Sequence, residues 1–207
     1  PPCAILASPL LTETAMNTLP LPRCPWCGDD PVYVRYHDEE WGVPSHDDRH
    51  LFEMLCLEGQ QAGLSWITVL RKRDRYREVF HGFDPGKVAR MTDADCEALL
   101  QDAGVIRHRG KLTAIRDNAV ATLALQRECG SLADYLWGFV DGRAVVNCRA
   151  SYREAPASTP LSEQISRDLK KRGFRFVGST TVYAFMQAVG MVNDHETGCF
   201  RYRPLAA

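Results

Sequence analysis

Apolar side chains recur at helical spacing along most of this chain. Leu51, Met54 and Leu55 open one stripe, with Asp47 or Asp48 as its cap. Gly59 and Gly63 are expected to break that stripe close to Glu58. Trp66, Val69 and Leu70 mark a second helix, which turns basic through Arg71, Lys72, Arg73, Arg75 and Arg77. Thr92, with Asp95 three residues on, has the form of a capping box ahead of Leu99 and Leu100, and Gly104 is the stop. A longer helix from about Lys111 to Arg127 gathers Leu112, Ile115, Ala119, Thr122 and Leu123 on one side. Ser131 caps another through Tyr135, Leu136 and Phe139. Leu161, Ile165 and Leu169 form an amphipathic face that ends in Lys170-Lys171-Arg172. Val182, Phe185, Met186 and Val189 form a last apolar helix stopped by Gly190. Strand-type alternation is scarce, and residues 141–158 have little periodicity of either kind. The pattern predicts an all-α fold with one long connection.

Length and composition narrow this only modestly. A chain of 207 residues can bury a sizeable core as one domain. A net charge of −1 excludes a wholesale polyanion binder but leaves room for a local basic face. Eight cysteines without regular spacing predict reduced thiols in a cytoplasmic protein rather than a disulfide framework. No apolar run approaches membrane-spanning length, so no membrane partner is expected. Pro1 to Ala15 lack the basic start of a secretory signal, and Met16 is a credible first residue. Residues 1–22 are therefore read as an extension, 23–203 as the domain and 204–207 as a tail.

Thiols and imidazoles at the two ends change the picture more. Cys24 and His37 lie near the start, His195 and Cys199 near the finish, and these are the preferred donor types of a structural zinc. Cys24-Pro25-Trp26-Cys27 is also a C-x-x-C, so Cys24, Cys27, His195 and Cys199 make a second plausible set. Spacing alone leaves both sets open, along with buried thiols and a satisfied histidine.

Two further segments carry candidate chemistry. Gly173-Phe174-Arg175-Phe176-Val177-Gly178 joins two helices through a tight turn, with Ser179 and Thr180 at the second helix start. Free N–H groups there, with Lys170 and Lys171 alongside, suit a backbone phosphate; a plain helical turn is the blander reading. The basic runs at Arg71–Arg77 and Arg107–Lys111 raise the prospect of a polyanionic partner. Glu58 sits where the helical pattern expects an apolar or small residue, and Tyr36 and Trp66 could offer flat faces to a planar ligand.

YHDEEWGVP (Tyr36 to Pro44), LFEMLCLEGQQAGLSWITVL (Leu51 to Leu70), DAGVIRHRGKL (Asp102 to Leu112) and LKKRGFRFVGSTTVYAFMQAVGMVNDH (Leu169 to His195) together resemble the 3-methyladenine DNA glycosylase I family of the helix-hairpin-helix superfamily. The resemblance implies a two-lobed helical body whose termini are joined by one structural zinc on Cys24, His37, His195 and Cys199. It implies Glu58 as the base-recognition and positioning carboxylate, with Tyr36 and Trp66 as stacking faces. Gly63 and Leu64 match the segment that enters the gap left by an extruded nucleotide. Lys170, Lys171, Gly173, Gly178, Ser179 and Thr180 match the phosphate-gripping hairpin. The implied activity is release of 3-methyladenine from double-stranded alkylated DNA, leaving an abasic site without lyase action, by a monomer working at the nucleoid. The superfamily's catalytic aspartate has no counterpart on this resemblance, and Asp194 is not assigned that role. The alternative is a zinc-stapled DNA-binding module without chemistry.

Overall fold

The structure, a computed structural model, describes residues 21–206. The expected extension therefore falls largely outside the described residues. Pro22 already belongs to the fold, because its carbonyl accepts from Phe200 N at 2.9 Å.

Helices dominate, as the periodicity predicts. They are α1 (Pro31–Glu39), α2 (Asp48–Gln61), α3 (Trp66–Leu70), α4 (Arg73–Val79), α5 (Pro85–Val88), α6 (Asp93–Ala98), α7 (Arg109–Cys129), α8 (Leu132–Trp137), α9 (Pro160–Lys171), α10 (Ser179–Ala188) and α11 (Tyr202–Ala206). Capping follows the sequence signals. Asp47 accepts from His50 N at the start of α2, and Thr92–Asp95 and Thr159–Ser162 are reciprocal capping boxes.

Helix α2 is the centre of the molecule and packs against α7, α8 and α10. Every residue from Leu51 to Gln60 is buried, as befits a helix enclosed on all sides. The expected break at Gly59 does not occur. A side chain there would meet Phe176 Cβ at 3.2 Å and Phe176 O at 3.4 Å, so glycine keeps the helix running while admitting the 173–178 hairpin against it. The second predicted helix divides into α3 and α4 around Arg71 and Lys72. In α7 the buried stripe runs through Leu112, Ile115, Ala119 and Thr122 to Leu125, with Leu123 only half-buried. The expected tail is helical through Ala206, and Asn193 Nδ2 donates to Tyr202 O at 3.1 Å.

The aperiodic connection also holds structure. Val145–Val146 (β1) pairs in parallel with Val192–Asn193 (β2), and a further bridge links Arg149 to Glu196. Strands of two residues leave no sequence period to detect, so hydrophobic patterning could not have found them.

Candidate active site and metal centre

Four side chains from distant parts of the chain meet at one point. Cys24 precedes a short turn and His37 lies on α1; His195 and Cys199 follow β2. All four are buried, and their donor atoms lie within 4.8 Å of one another. Cys24 Sγ and Cys199 Sγ each stand 3.5 Å from His195 Nδ1, and Cys199 Sγ is 3.4 Å from His37 Nε2. A tetrahedral zinc with bonds of about 2.0–2.3 Å spaces its ligands at roughly these separations. The remaining ring nitrogens are engaged: His37 Nδ1 with Asp38 Oδ1 at 2.7 Å and His195 Nε2 with Trp41 O at 3.1 Å. Such outer partners fix ring orientation and leave the inner nitrogens free for a metal. Hydrogen bonding with Cys24 pulls the Cys199 thiol far below its ordinary range, while the same pairing and burial push Cys24 up. A divalent cation held there would remove that competition by binding both as thiolates. Cys27 stands outside the group, its thiol donating to Cys24 O at 3.2 Å. Of the two sets left open by spacing, the structure assembles Cys24, His37, His195 and Cys199, and these residues fit the metal.

A cavity of about 220 Å³ lies against this cluster, between α1, α2 and α3 on one side and α10 with the following segment on the other. Tyr36 and Trp66 line it, with ring centroids 5.5 Å apart. Glu58 projects into it from α2. The other buried polar side chains of that helix are matched. Glu53 accepts from Arg73 and Arg77, and Gln60 bonds both Lys111 O and the Tyr76 hydroxyl. Glu58 differs: only 5% exposed, its Oε2 has no hydrogen-bond partner. Burial pushes its carboxyl up to about 8. Trp26 Nε1 and Trp66 Nε1, also in the cavity lining, are buried and unpartnered too. Buried polar atoms are almost always satisfied, so an acceptor and two donors left open in one aromatic chamber mark a ligand site.

Trp26, Tyr33 and Trp41 belong to the same lining and were not singled out by sequence reasoning. The first sits inside the C-x-x-C and the last inside the YHDEEW stretch, so proximity to the candidate metal ligands was the available signal. Asp194 also lines the cavity. Burial opposes its ionisation, but hydrogen bonds from Tyr183, Asn147, Gln187 and Arg149 outweigh that and hold it below the usual carboxylate range. With four donors on two oxygens it is a fixed anchor rather than a proton donor or acceptor.

A groove leads from Glu58 past Gly63 and Leu64 to Thr180 and Thr181 at the start of α10. Leu64 is exposed at 41%, an apolar side chain presented beside the cavity mouth. Lys111 braces this loop from beneath, donating to Gln60 O at 2.8 Å and Ala62 O at 2.6 Å. Gly173 takes φ +91°, a left-handed turn that side chains resist, and Gly178 caps α10 without a side-chain bond, leaving its first N–H groups free. Lys170 and Lys171 are exposed, lie outside this groove, and make none of the ion pairs found among the described residues. The other basic residues are largely committed. Arg71 bonds Asp30, Arg73 bonds Glu53 and Glu40, Arg75 bonds Asp102, Arg172 bonds Glu128 and Asp168, and Arg175 bonds Asp117. The Arg71–Arg77 run is thus mostly internal ion pairing, not the open cationic face that the sequence suggested.

A model of the methyladenine glycosylase family matches residues 26–202. The chain belongs to that family. It is 56% identical over 180 residues to DNA-3-methyladenine glycosylase 1 of Escherichia coli, covering 87% of this chain and 96% of that protein. A crystal structure of 3-methyladenine DNA glycosylase I superimposes with a TM-score of 0.85 at 58% identity, covering 86% of this chain and 98% of the other. A variant of 3-methyladenine DNA glycosylase I solved in complex with 3-methyladenine gives the same TM-score at 37% identity, covering 87% and 97%. The methyladenine glycosylase fold thus extends across nearly all of the described chain.

Proposed function

We propose that this methyladenine glycosylase hydrolyses the N-glycosidic bond of 3-methyladenine in double-stranded DNA, releasing the free base and leaving an abasic site. One observation carries the reading beyond family membership: the unpartnered Glu58 carboxyl faces an aromatic chamber that opens onto the Leu64 groove. Methylation at N3 makes the base cationic, so it departs neutral and asks little of a general acid. Selection is the harder task, because a nucleotide must be extruded and ordinary adenine refused. Glu58 accepts from the exocyclic amine, and its carboxylate form is favoured by a cationic ring. Tyr36 and Trp66 add cation–π attraction of about 0.5–2 kcal/mol each. These contacts hold the ground state as well, so they select the base more than they speed bond breaking.

Leu64 and Gly63 fill the space vacated in the duplex, and the free N–H groups at Ser179 and Thr180 take a backbone phosphate. Cys24, His37, His195 and Cys199 hold one structural zinc, whose four protein ligands leave no open position for water. The protein acts as a monomer at the nucleoid. No helix among the described residues is long and apolar enough to cross a membrane. Incubating the protein with methylated duplex and measuring released bases tests the activity: free 3-methyladenine is expected, and intact glycosidic bonds would leave only a DNA-binding module.

A further inference from the structure

The connection after α8 does more than join helices. Val145 N donates to Met191 O at 2.9 Å, Asn147 N to Asn193 O at 3.1 Å, and Thr197 N to Arg149 O at 2.9 Å, laying the strand along the segment that bears His195. Arg149 reaches Asp194 with Nε at 3.0 Å and the Glu154 carbonyl at 2.9 Å. Tyr152 N donates to Glu196 Oε1 at 2.8 Å, and Ser151 accepts from Arg153 N to close a short turn over Tyr152–Glu154. The turn is therefore pinned on both sides to the residues behind the cavity.

That pinning delivers one aromatic ring to the chamber, with Ala155 of the same segment beside it in the lining. Tyr152 lines the same cavity as Glu58 and Tyr36. Tyr36 and Trp66 are 4% and 7% exposed, whereas Tyr152 is 39% exposed. The first two thus form the depth of the chamber and Tyr152 its mouth. Arg153 lies over the Tyr152 ring with its guanidinium carbon 5.9 Å from the centroid, and interaction with the Tyr152 side chain raises the pKa of that guanidinium. An extruded base occupies the depth, while its sugar stays tied to the duplex and must remain at the mouth.

We propose that Tyr152 is a substrate-contacting residue that packs its ring against the deoxyribose of the extruded nucleotide and so fixes the glycosidic bond at the chamber entrance. The proposal deepens the glycosylase reading and rests on it. Tyr152→Ala should lower single-turnover excision from methylated duplex about tenfold, equal to about 1.4 kcal/mol. Its affinity for free 3-methyladenine should stay within about twofold of wild type, because the free base has no sugar, and its melting temperature should be unchanged for an exposed side chain. Tyr152→Phe keeps the ring and should excise within about twofold of wild type. Undiminished excision by Tyr152→Ala overturns the proposal, as does an equal loss of free-base affinity or a Tyr152→Phe variant as slow as Tyr152→Ala. Wild-type protein that releases no 3-methyladenine would instead sink the glycosylase reading, so the two failures are separable.

Discussion

Glu58 is the buried polar side chain of α2 left without a partner, which is why the proposed recognition of the base rests on it. Glu58→Gln keeps its size but turns an acceptor into an amide donor facing the base's amine. Losing a buried hydrogen bond to a charged group costs roughly 1.5–3 kcal/mol, so free-base affinity and excision should fall about tenfold or more. Affinity for undamaged duplex, which does not enter the chamber, should hold. Equal excision by the variant under single-turnover conditions would remove Glu58 from this role. The same substitution has a second signature in stability. Burial lifts the folded-state carboxyl from 4.5 to about 8. Stability from the protonated form is thus fully present below the unfolded value and is lost as pH rises through the folded one. Glu58→Gln lacks that loss. Its stability should gain on wild type between about pH 5 and pH 8 by on the order of a few kcal/mol, read as a melting-temperature difference that widens with pH. A difference that does not vary with pH would show an ordinary glutamate.

Among elements, the 173–178 hairpin and α10 depend on how closely they approach α2. Gly59 permits that approach, and the sequence misled there: a glycine inside a helical stripe looks like a stop until the partner at 3.2 Å is known. Capping boxes and apolar stripes were legible because they are local. Residues 141–158 were not, because short parallel pairing with residues 192–196 is a nonlocal fact without a period. Charge runs misled for a related reason. Whether an arginine faces solvent or a carboxylate depends on partners tens of residues away, as Arg73 with Glu40 illustrates. Lys170 and Lys171, beside the hairpin, make none of the ion pairs found among the described residues, so the proposed phosphate contact is tested on them. Replacing both by alanine should weaken binding alike across sequences and flatten the slope of log affinity against log salt by about 1–2. An unchanged slope would assign the grip to backbone N–H groups alone.

At the scale of the whole molecule, the Cys/His cluster ties the first helix to the last segment across most of the chain. Cys24, His37, His195 and Cys199 stood out in the sequence as donors, but only the fold excludes Cys27 from the set. Cys199→Ser should lose bound zinc and lower the melting temperature by about 2–4 °C for each kcal/mol forfeited. Metal analysis of the purified protein and a thermal melt check both halves. A wild-type protein without zinc, or a variant that melts with wild type, would refute the clasp.

The clasp adjoins the chamber in a specific way. Tyr36 precedes one candidate ligand, His37, and Asp194 precedes another, His195, so opposite sides of the cavity are made from opposite ends of the polypeptide. During synthesis the ribosome produces Tyr36 and Glu58 early and Asp194 near the finish. At 5–20 residues per second that interval lasts roughly 8–30 s. Throughout it the nascent chain lacks the wall that Ala184, Gln187 and Asp194 contribute to the cavity. A chain that ends before residue 170 lacks that wall and the hairpin together, so it should release no base from methylated DNA.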